Sequence, residues 1–101
     1  MPTYVTLNKL TDKGIQTFKD SPSRLDDFKK SLQKAGGKLL GFYLTLGRYD
    51  AVFVIETPSD EAMAKLALDI GSKGNVRTET LRAFSEDEYR KLVESLPLPL
   101  P

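Results

Sequence analysis

The chain has 101 residues, 40% of them hydrophobic and 29% charged, and fifteen Lys and Arg against fourteen Asp and Glu leave a net charge of +1. That length supports one domain burying roughly 60–70% of the surface its unfolded form exposes, and the near-zero charge gives no field to recruit nucleic acid or an anionic membrane. Neither cysteine nor histidine occurs, which excludes disulfides, thiolate nucleophiles, the common zinc sites, histidine-ligated haem, His-containing triads and a histidine general base.

The start, Met1-Pro2-Thr3-Tyr4-Val5, lacks a basic segment followed by an apolar one. No stretch approaches the about 18 apolar residues of a membrane span, so a cytoplasmic protein with no membrane partner is expected. Thr3 to Leu10 alternates Val5 and Leu7 with Tyr4, Thr6 and Asn8, the period-2 pattern of a half-buried strand. Thr11 to Ser21 holds Gly14 and only Ile15 and Phe18 as large apolar residues, and reads as an ordered loop. Ser21-Pro22 opens a helix in which Leu25, Phe28, Leu32 and Ala35 form one apolar stripe, and Gly36-Gly37 ends it. Lys38 to Leu46 and Ala51 to Thr57, joined through Gly47-Arg48, are apolar and aromatic runs that predict a hairpin. Pro58-Ser59-Asp60-Glu61 supplies a cap and first-turn acids for a second helix with the stripe Met63, Leu66, Ala67 and Ile70, which ends at Gly71 to Gly74. Asn75 to Phe84 is the fourth strand, and Ser85-Glu86-Asp87-Glu88 is a capping box opening a short helix that carries Tyr89, Leu92, Val93 and Leu96.

This order predicts an α+β fold: a βαββαβ ferredoxin-like sandwich, with an antiparallel sheet covered by two helices on one face and an extra C-terminal helix. A domain over 1–96 is expected, followed by a Pro/Leu tail over 97–101. In the hairpin, Leu40, Phe42, Leu44 and Leu46 fall on one side, yet Leu39 and Tyr43 on the other are also large. The next strand sets Val52 and Val54 against Phe53 and Ile55. Both faces are too apolar for water, so the face without helices is expected to pack on the same face of a second copy, a two-fold homodimer. Tyr43, Thr6 and Asn8 are read as polar interruptions of that face.

The hairpin segment Gly41-Phe42-Tyr43-Leu44-Thr45-Leu46-Gly47-Arg48-Tyr49-Asp50 resembles the signature of the GYD-domain family. Leu10-Thr11-Asp12-Lys13-Gly14, Lys19-Asp20-Ser21-Pro22-Ser23-Arg24, Gly36-Gly37-Lys38 and Gly74 to Phe84 also look like that family's blocks. The resemblance implies a place among the dimeric α/β-barrel proteins, whose members include cofactor-independent monooxygenases, isomerases and dehalogenases as well as binding modules. It brings no reaction and no catalytic residue with it, and the tail Leu96 to Pro101 lies outside it.

Several constellations carry two readings each. Tyr49 and Asp50 follow a glycine at a hairpin bend, where they brace the turn. Alternatively, with Tyr43, they line the mouth of a cavity, a carboxylate beside a phenol able to polarise a carbonyl. Asn75, Arg77, Thr78 and Glu79 form a solvated edge strand with Arg and Glu paired across it. In the other reading Asn8, Asn75 and Arg77 converge on an apolar pocket, with Arg77 the counter-ion of an anionic ligand. Lys19 to Arg24 is a helix cap or an anion site. Gly71-Ser72-Lys73-Gly74 terminates a helix, where the dipole disfavours phosphate. The acids at Asp60-Glu61 and Glu86-Asp87-Glu88 complement helix dipoles, and no metal site is expected. Aromatic RNA stacking is poorly matched by Arg48 to Ile55.

The functional reading is a homodimeric small-molecule-binding protein, extended to a cofactor-independent enzyme acting on a small apolar or aromatic metabolite. Its ligand-binding candidates are Asn8, Tyr43, Tyr49, Asp50, Asn75 and Arg77, and no cofactor is expected. The alternative is a non-catalytic regulatory or assembly module in which the same residues brace strands and subunit contacts.

Overall fold

The computed structural model describes residues 1–97. In chain order the elements are β1 (Thr3–Leu10), α1 (Asp12–Gln16), α2 (Ser21–Lys34), β2 (Lys38–Leu44), β3 (Ala51–Glu56), α3 (Asp60–Ser72), β4 (Val76–Ala83) and α4 (Glu86–Glu94). The strands form one antiparallel sheet in the order β2-β3-β1-β4. With α2 and α3 on one face this is the α+β, ferredoxin-like architecture the pattern predicts, and α4 is the extra C-terminal helix. Beyond Pro97 the expected Pro/Leu tail lies outside the described residues. None of the helices among the described residues is long and apolar enough to cross a membrane.

β1 runs between β3 and β4 and decides which face each residue serves. Thr6 pairs with Phe53 and Thr80, while Val5 pairs with Val54 and Leu81. Because side chains alternate across a pleated strand, Tyr4, Thr6, Asn8 and Leu10 point toward the helices and Val5 and Leu7 point away. This corrects the expectation that Thr6 and Asn8 interrupt the uncovered face: they lie under the helices, and Tyr4 and Thr6 are buried there. Strict alternation also misplaces Leu39. A register shift between Leu39 and Gly41 inserts Leu40 as a bulge, so Leu39, opposite Ile55, shares the helix side with Phe42 and Leu44.

The core is small. Tyr4, Leu32, Ile55, Met63 and Leu66 are buried, with Phe28, Ala35, Leu39, Phe53 and Ala67 packed around them. Phe53 joins two walls, meeting Phe28 edge-on at 5.5 Å and Phe42 at 5.0 Å between ring centroids. Leu32, 1% exposed, ties α2 to the sheet, and Gly36, at φ +82°, then ends the helix as its position predicts.

The expected ordered loop over Thr11 to Ser21 instead carries α1 and a 3-10 turn at Phe18–Asp20. Thr11 caps α1 by accepting from Gly14 N at 3.1 Å, while its hydroxyl donates to Gly74 O at 2.6 Å and its amide to Asn75 O at 3.0 Å. Gly14, part of that expected loop, instead lies inside α1. A methyl group there would lie 2.0 Å from Asn75 O, so only glycine lets α1 dock against the entry to β4.

α4 behaves differently from the other helices. Its capping box is complete: Ser85 Oγ accepts from Glu88 N at 3.2 Å and Glu88 Oε1 accepts from Ser85 N at 3.0 Å. Those bonds hold the Glu88 carboxyl below its ordinary pKa, so its support of α4 is present above the usual glutamate range and is lost as pH falls through the lowered value. Yet the stripe Tyr89, Leu92, Val93 and Leu96 is 61%, 50%, 48% and 56% exposed. The chain measures 55 × 31 × 23 Å, with a Cα radius of gyration of 15.8 Å, against about 13 Å for a compact chain of this length.

Two substitutions check this account by urea denaturation. Leu32→Ala should lower the unfolding free energy by about 2–5 kcal/mol through the cavity it leaves. Gly14→Ala should lower it by about 1–3 kcal/mol through overpacking against Asn75; an unchanged midpoint would mean α1 is not docked as described.

Candidate functional site

α2 stands over β2 and α3 over β4, at opposite edges of the sheet, and the two helices make at most sparse contact with each other. The central strands β1 and β3 are therefore left with a gap above them. This cleft holds about 860 Å³, within the range of small-molecule sites. Its walls are apolar, with Leu25 and Phe28 from α2 and Met63, Leu66 and Ile70 from α3. Its floor is the helix-side row of the sheet, where Thr6, Asn8, Thr78 and Thr80 put polar groups beneath an apolar roof. Thr6 and Thr80 pair through their hydroxyls at 3.3 Å. Asn8 Oδ1 is buried and meets no donor, an arrangement that costs about 1–3 kcal/mol unless something satisfies it.

The β2–β3 connection fixes one end of the cleft. Gly47 adopts φ +110°, a left-handed geometry cheap only for glycine. Asp50 is then clamped from three sides: its amide donates to Asn8 O at 2.8 Å, its carbonyl accepts from Thr45 N at 2.9 Å, and its Oδ2 accepts from Leu10 N at 2.8 Å. The side chain thus satisfies the end of β1 and also borders the cleft.

The six candidate residues divide by location. Asn8, Asp50 and Asn75 line the cleft. Tyr43 and Arg77 do not, which corrects the expected convergence: Tyr43 is opposite Val52 and Arg77 opposite Lys9, both on the uncovered face. Tyr49 lines neither wall, and its hydroxyl donates to Glu79 Oε2 on β4 at 2.7 Å. Arg and Glu on β4 are not paired with each other; the described ion pairs are Lys73 with Asp69 and Arg90 with Glu86. Sequence reasoning missed the cleft's threonines because Thr78 and Thr80 look like edge-strand polarity until β1 supplies Thr6 and Asn8 opposite them. Among the described residues no three Asp or Glu side chains gather as a metal site would require.

The uncovered face is organised in rows. Gly41, Val54, Val5 and Leu81 form one across all four strands, and Tyr43, Val52, Leu7 and Glu79 the next. The Tyr43 ring lies over Gly41, where a methyl group would approach it to 3.3 Å. Charged residues rim this apolar band, Lys38 and Glu56 at one end and Lys9 and Arg77 at the other. An apolar centre with a charged rim is the anatomy of a protein interface.

Comparison with known proteins agrees with this architecture. The model of the GYD domain matches residues 4–93. A Thermus thermophilus protein named "Glutamine synthetase and cystathionine beta-lyase binding protein" is 36% identical over 85 residues, covering 83% of this chain and 90% of that protein. A solved crystal structure of a protein from Thermus thermophilus superposes with a TM-score of 0.54 at 23% identity, over 84% of this chain and 95% of the other. The fold is therefore shared over most of both chains.

Two of the four tyrosines should titrate late. The hydrogen bond to Glu79, helped by burial, holds the Tyr49 phenol above its ordinary pKa. Burial first, then the hydrogen bond to Asp60, does the same for Tyr4. A raised pKa favours the protonated phenol in the fold, so its stabilisation is present below about pH 10 and is lost as pH rises through the raised values. An ultraviolet absorbance titration should resolve these two, and Glu79→Gln should return Tyr49 toward the ordinary value while leaving Tyr4 late.

Proposed function

The chain belongs to the GYD domain family, and on that premise we propose that it is a homodimeric binding protein. In this reading the uncovered sheet face pairs two subunits, the helix–sheet cleft takes a small organic molecule, and the assembled pair meets a protein partner in a regulatory role. The observation that carries it is the apolar band through Val5, Val52, Val54 and Leu81, left without a roof among the described residues, where the α4 stripe is exposed as well.

Surface area supports the pairing. The chain exposes 7450 Å², whereas a compact monomer of 11.3 kDa exposes about 5,700 Å². The excess exceeds the roughly 800 Å² that each partner contributes to a standard interface. With so small a core, burying this surface against a second copy is the natural source of further stability. Lys9 and Arg77 then belong to the interface rim.

The protein partner is supported by the Thermus relative, whose name describes binding to two enzymes and no reaction of its own. A cofactor-independent enzyme is the second reading, favoured by a carboxylate at the cleft. Asp50 suits binding better, because its Oδ2 is engaged by the Leu10 amide, which positions the carboxylate instead of freeing it for proton transfer.

Light scattering at micromolar concentration should return a dimer for the native chain and a monomer for Val54→Lys, which puts a charge at the centre of the band. A native monomer would sink the pairing. Biolayer interferometry against glutamine synthetase and cystathionine beta-lyase should give saturable binding weakened by Val54→Lys if the partner needs the assembled pair. In a thermal-shift screen of metabolites, a cleft ligand at 100 times its dissociation constant should stabilise by about 2.7 kcal/mol.

A further inference from the structure

Two features at opposite ends of β4 lack what their chemistry requires. Past Ala83, α4 is nine residues long, and an isolated helix of that length is marginal in water however well it is capped. It needs a surface to pack on. Yet its stripe of Tyr89, Leu92, Val93 and Leu96 is about half exposed, and α4 makes at most sparse contact with any other element.

At the start of β4, Arg77 lies directly opposite Lys9 on the uncovered face, and like charges so placed repel. Neither belongs to a described ion pair. Glu79, two residues along β4 on the same face, is bonded by the Tyr49 hydroxyl, and the Asp50 carboxylate is bonded by Leu10 N. The same end carries exposed apolar surface at Ile15 and Phe18, because α1 docks against the entry to β4 through Gly14.

The two needs are complementary. α4 carries Glu86, Asp87, Glu88 and Glu94 against Arg90 and Lys91, so an acidic amphipathic helix lacks a seat while a basic, partly apolar seat lacks an acid. Within one chain they stay apart: Arg77 and Ala83 are six residues apart in an extended strand, about 20 Å. A two-fold axis between facing sheets, running across their strands, removes that separation. It lays β4 of one subunit along β4 of the other in the opposite direction, so α4 leaves one sheet where β4 begins in the second. Symmetry makes the contact twice, each subunit giving one arm and receiving one.

Resting on the homodimer reading above, we infer that α4 is an exchanged arm that docks on a second copy of this chain. Its stripe packs on Ile15 and Phe18 of that copy, and its acids face the Lys9 and Arg77 pair. The arm continues the sheet-to-sheet surface past its charged rim.

The chain has no cysteine of its own, so introduced thiols report a single contact. Leu92→Cys and Phe18→Cys, on separate chains of which one is lengthened by a tag, are co-expressed and oxidised. A disulfide joining the tagged chain to the untagged one is expected, whichever bears the tag. Leu92→Ser should raise the dimer dissociation constant by at least about tenfold. The rise of that constant between about 50 and about 500 mM salt should shrink in Arg77→Gln. Links only between Leu92→Cys chains would overturn the arm, since α4 would then meet α4. So would a constant unmoved by Leu92→Ser, or a salt dependence that Arg77→Gln keeps in full. No link from a preparation that light scattering returns as a dimer removes the arm, leaves the sheet pairing standing and assigns α4 to a different protein. A monomer by light scattering removes the homodimer reading and the arm together.

Discussion

β1 is hydrogen-bonded on both sides, and nearly every functional feature of the molecule hangs on that double pairing. A strand with two ladders cannot slip without breaking both, and a one-residue slip would exchange its faces. Its register sends Tyr4, Thr6, Asn8 and Leu10 under the helices and Val5 and Leu7 to the open side. Both ends are pinned by side chains from elsewhere. The Tyr4 hydroxyl donates to Asp60 at the start of α3, and the Asp50 carboxylate accepts from Leu10 N at the far end. The cleft floor and the apolar band are thus opposite sides of one strand, a single sheet thickness apart.

The helices complete the division by what they leave uncovered. α2 seats Leu32 and Phe28 near the β2 edge, and α3 seats Met63 and Leu66 toward β4. Closing the gap between them would require a larger apolar residue than Thr6, Asn8, Thr78 or Thr80 on the floor. The fold instead carries a polar strip with an unsatisfied amide oxygen in an apolar enclosure, a local inconsistency of the sort that marks functional sites more often than structural ones. Elsewhere the inconsistency is of area: among the described residues the apolar stripe of a well-capped amphipathic helix is exposed and the valine-rich sheet surface is only half-buried.

The two faces differ in chemistry, and the proposed function assigns each its own kind of partner. Flat, branched side chains in rows, rimmed by Lys9, Arg77, Lys38 and Glu56, suit a broad protein surface that expels water over many small contacts. The concave side has few polar groups at fixed positions, which suits a compact molecule held by direction as well as by burial. Tyr49 bridges these regions. It leaves the same turn as Asp50 and reaches Glu79, so one connection organises a cleft residue and a residue of the open face.

Much of this was legible in the sequence. Periodicities of two and 3.6 gave the strands and the three longer helices, because local burial demands those spacings wherever one side of an element meets a core. Ser85 to Glu88 spelled a capping box, and Gly36 a helix end, because both rest on groups within a few residues. The even apolarity of the hairpin also showed that both faces of the sheet are apolar. What only the tertiary structure decided were the features set by distant chain. Gly14 sits in a helix because the Asn75 carbonyl passes over it, and Leu39 turns inward because a bulge takes up Leu40. Arg77 and Asn8 lie on opposite faces because β1 and β4 pair in one register and not its neighbour. A sequence states which residues alternate, but the side on which each set falls is fixed by what packs above the sheet, and no local spacing encodes that.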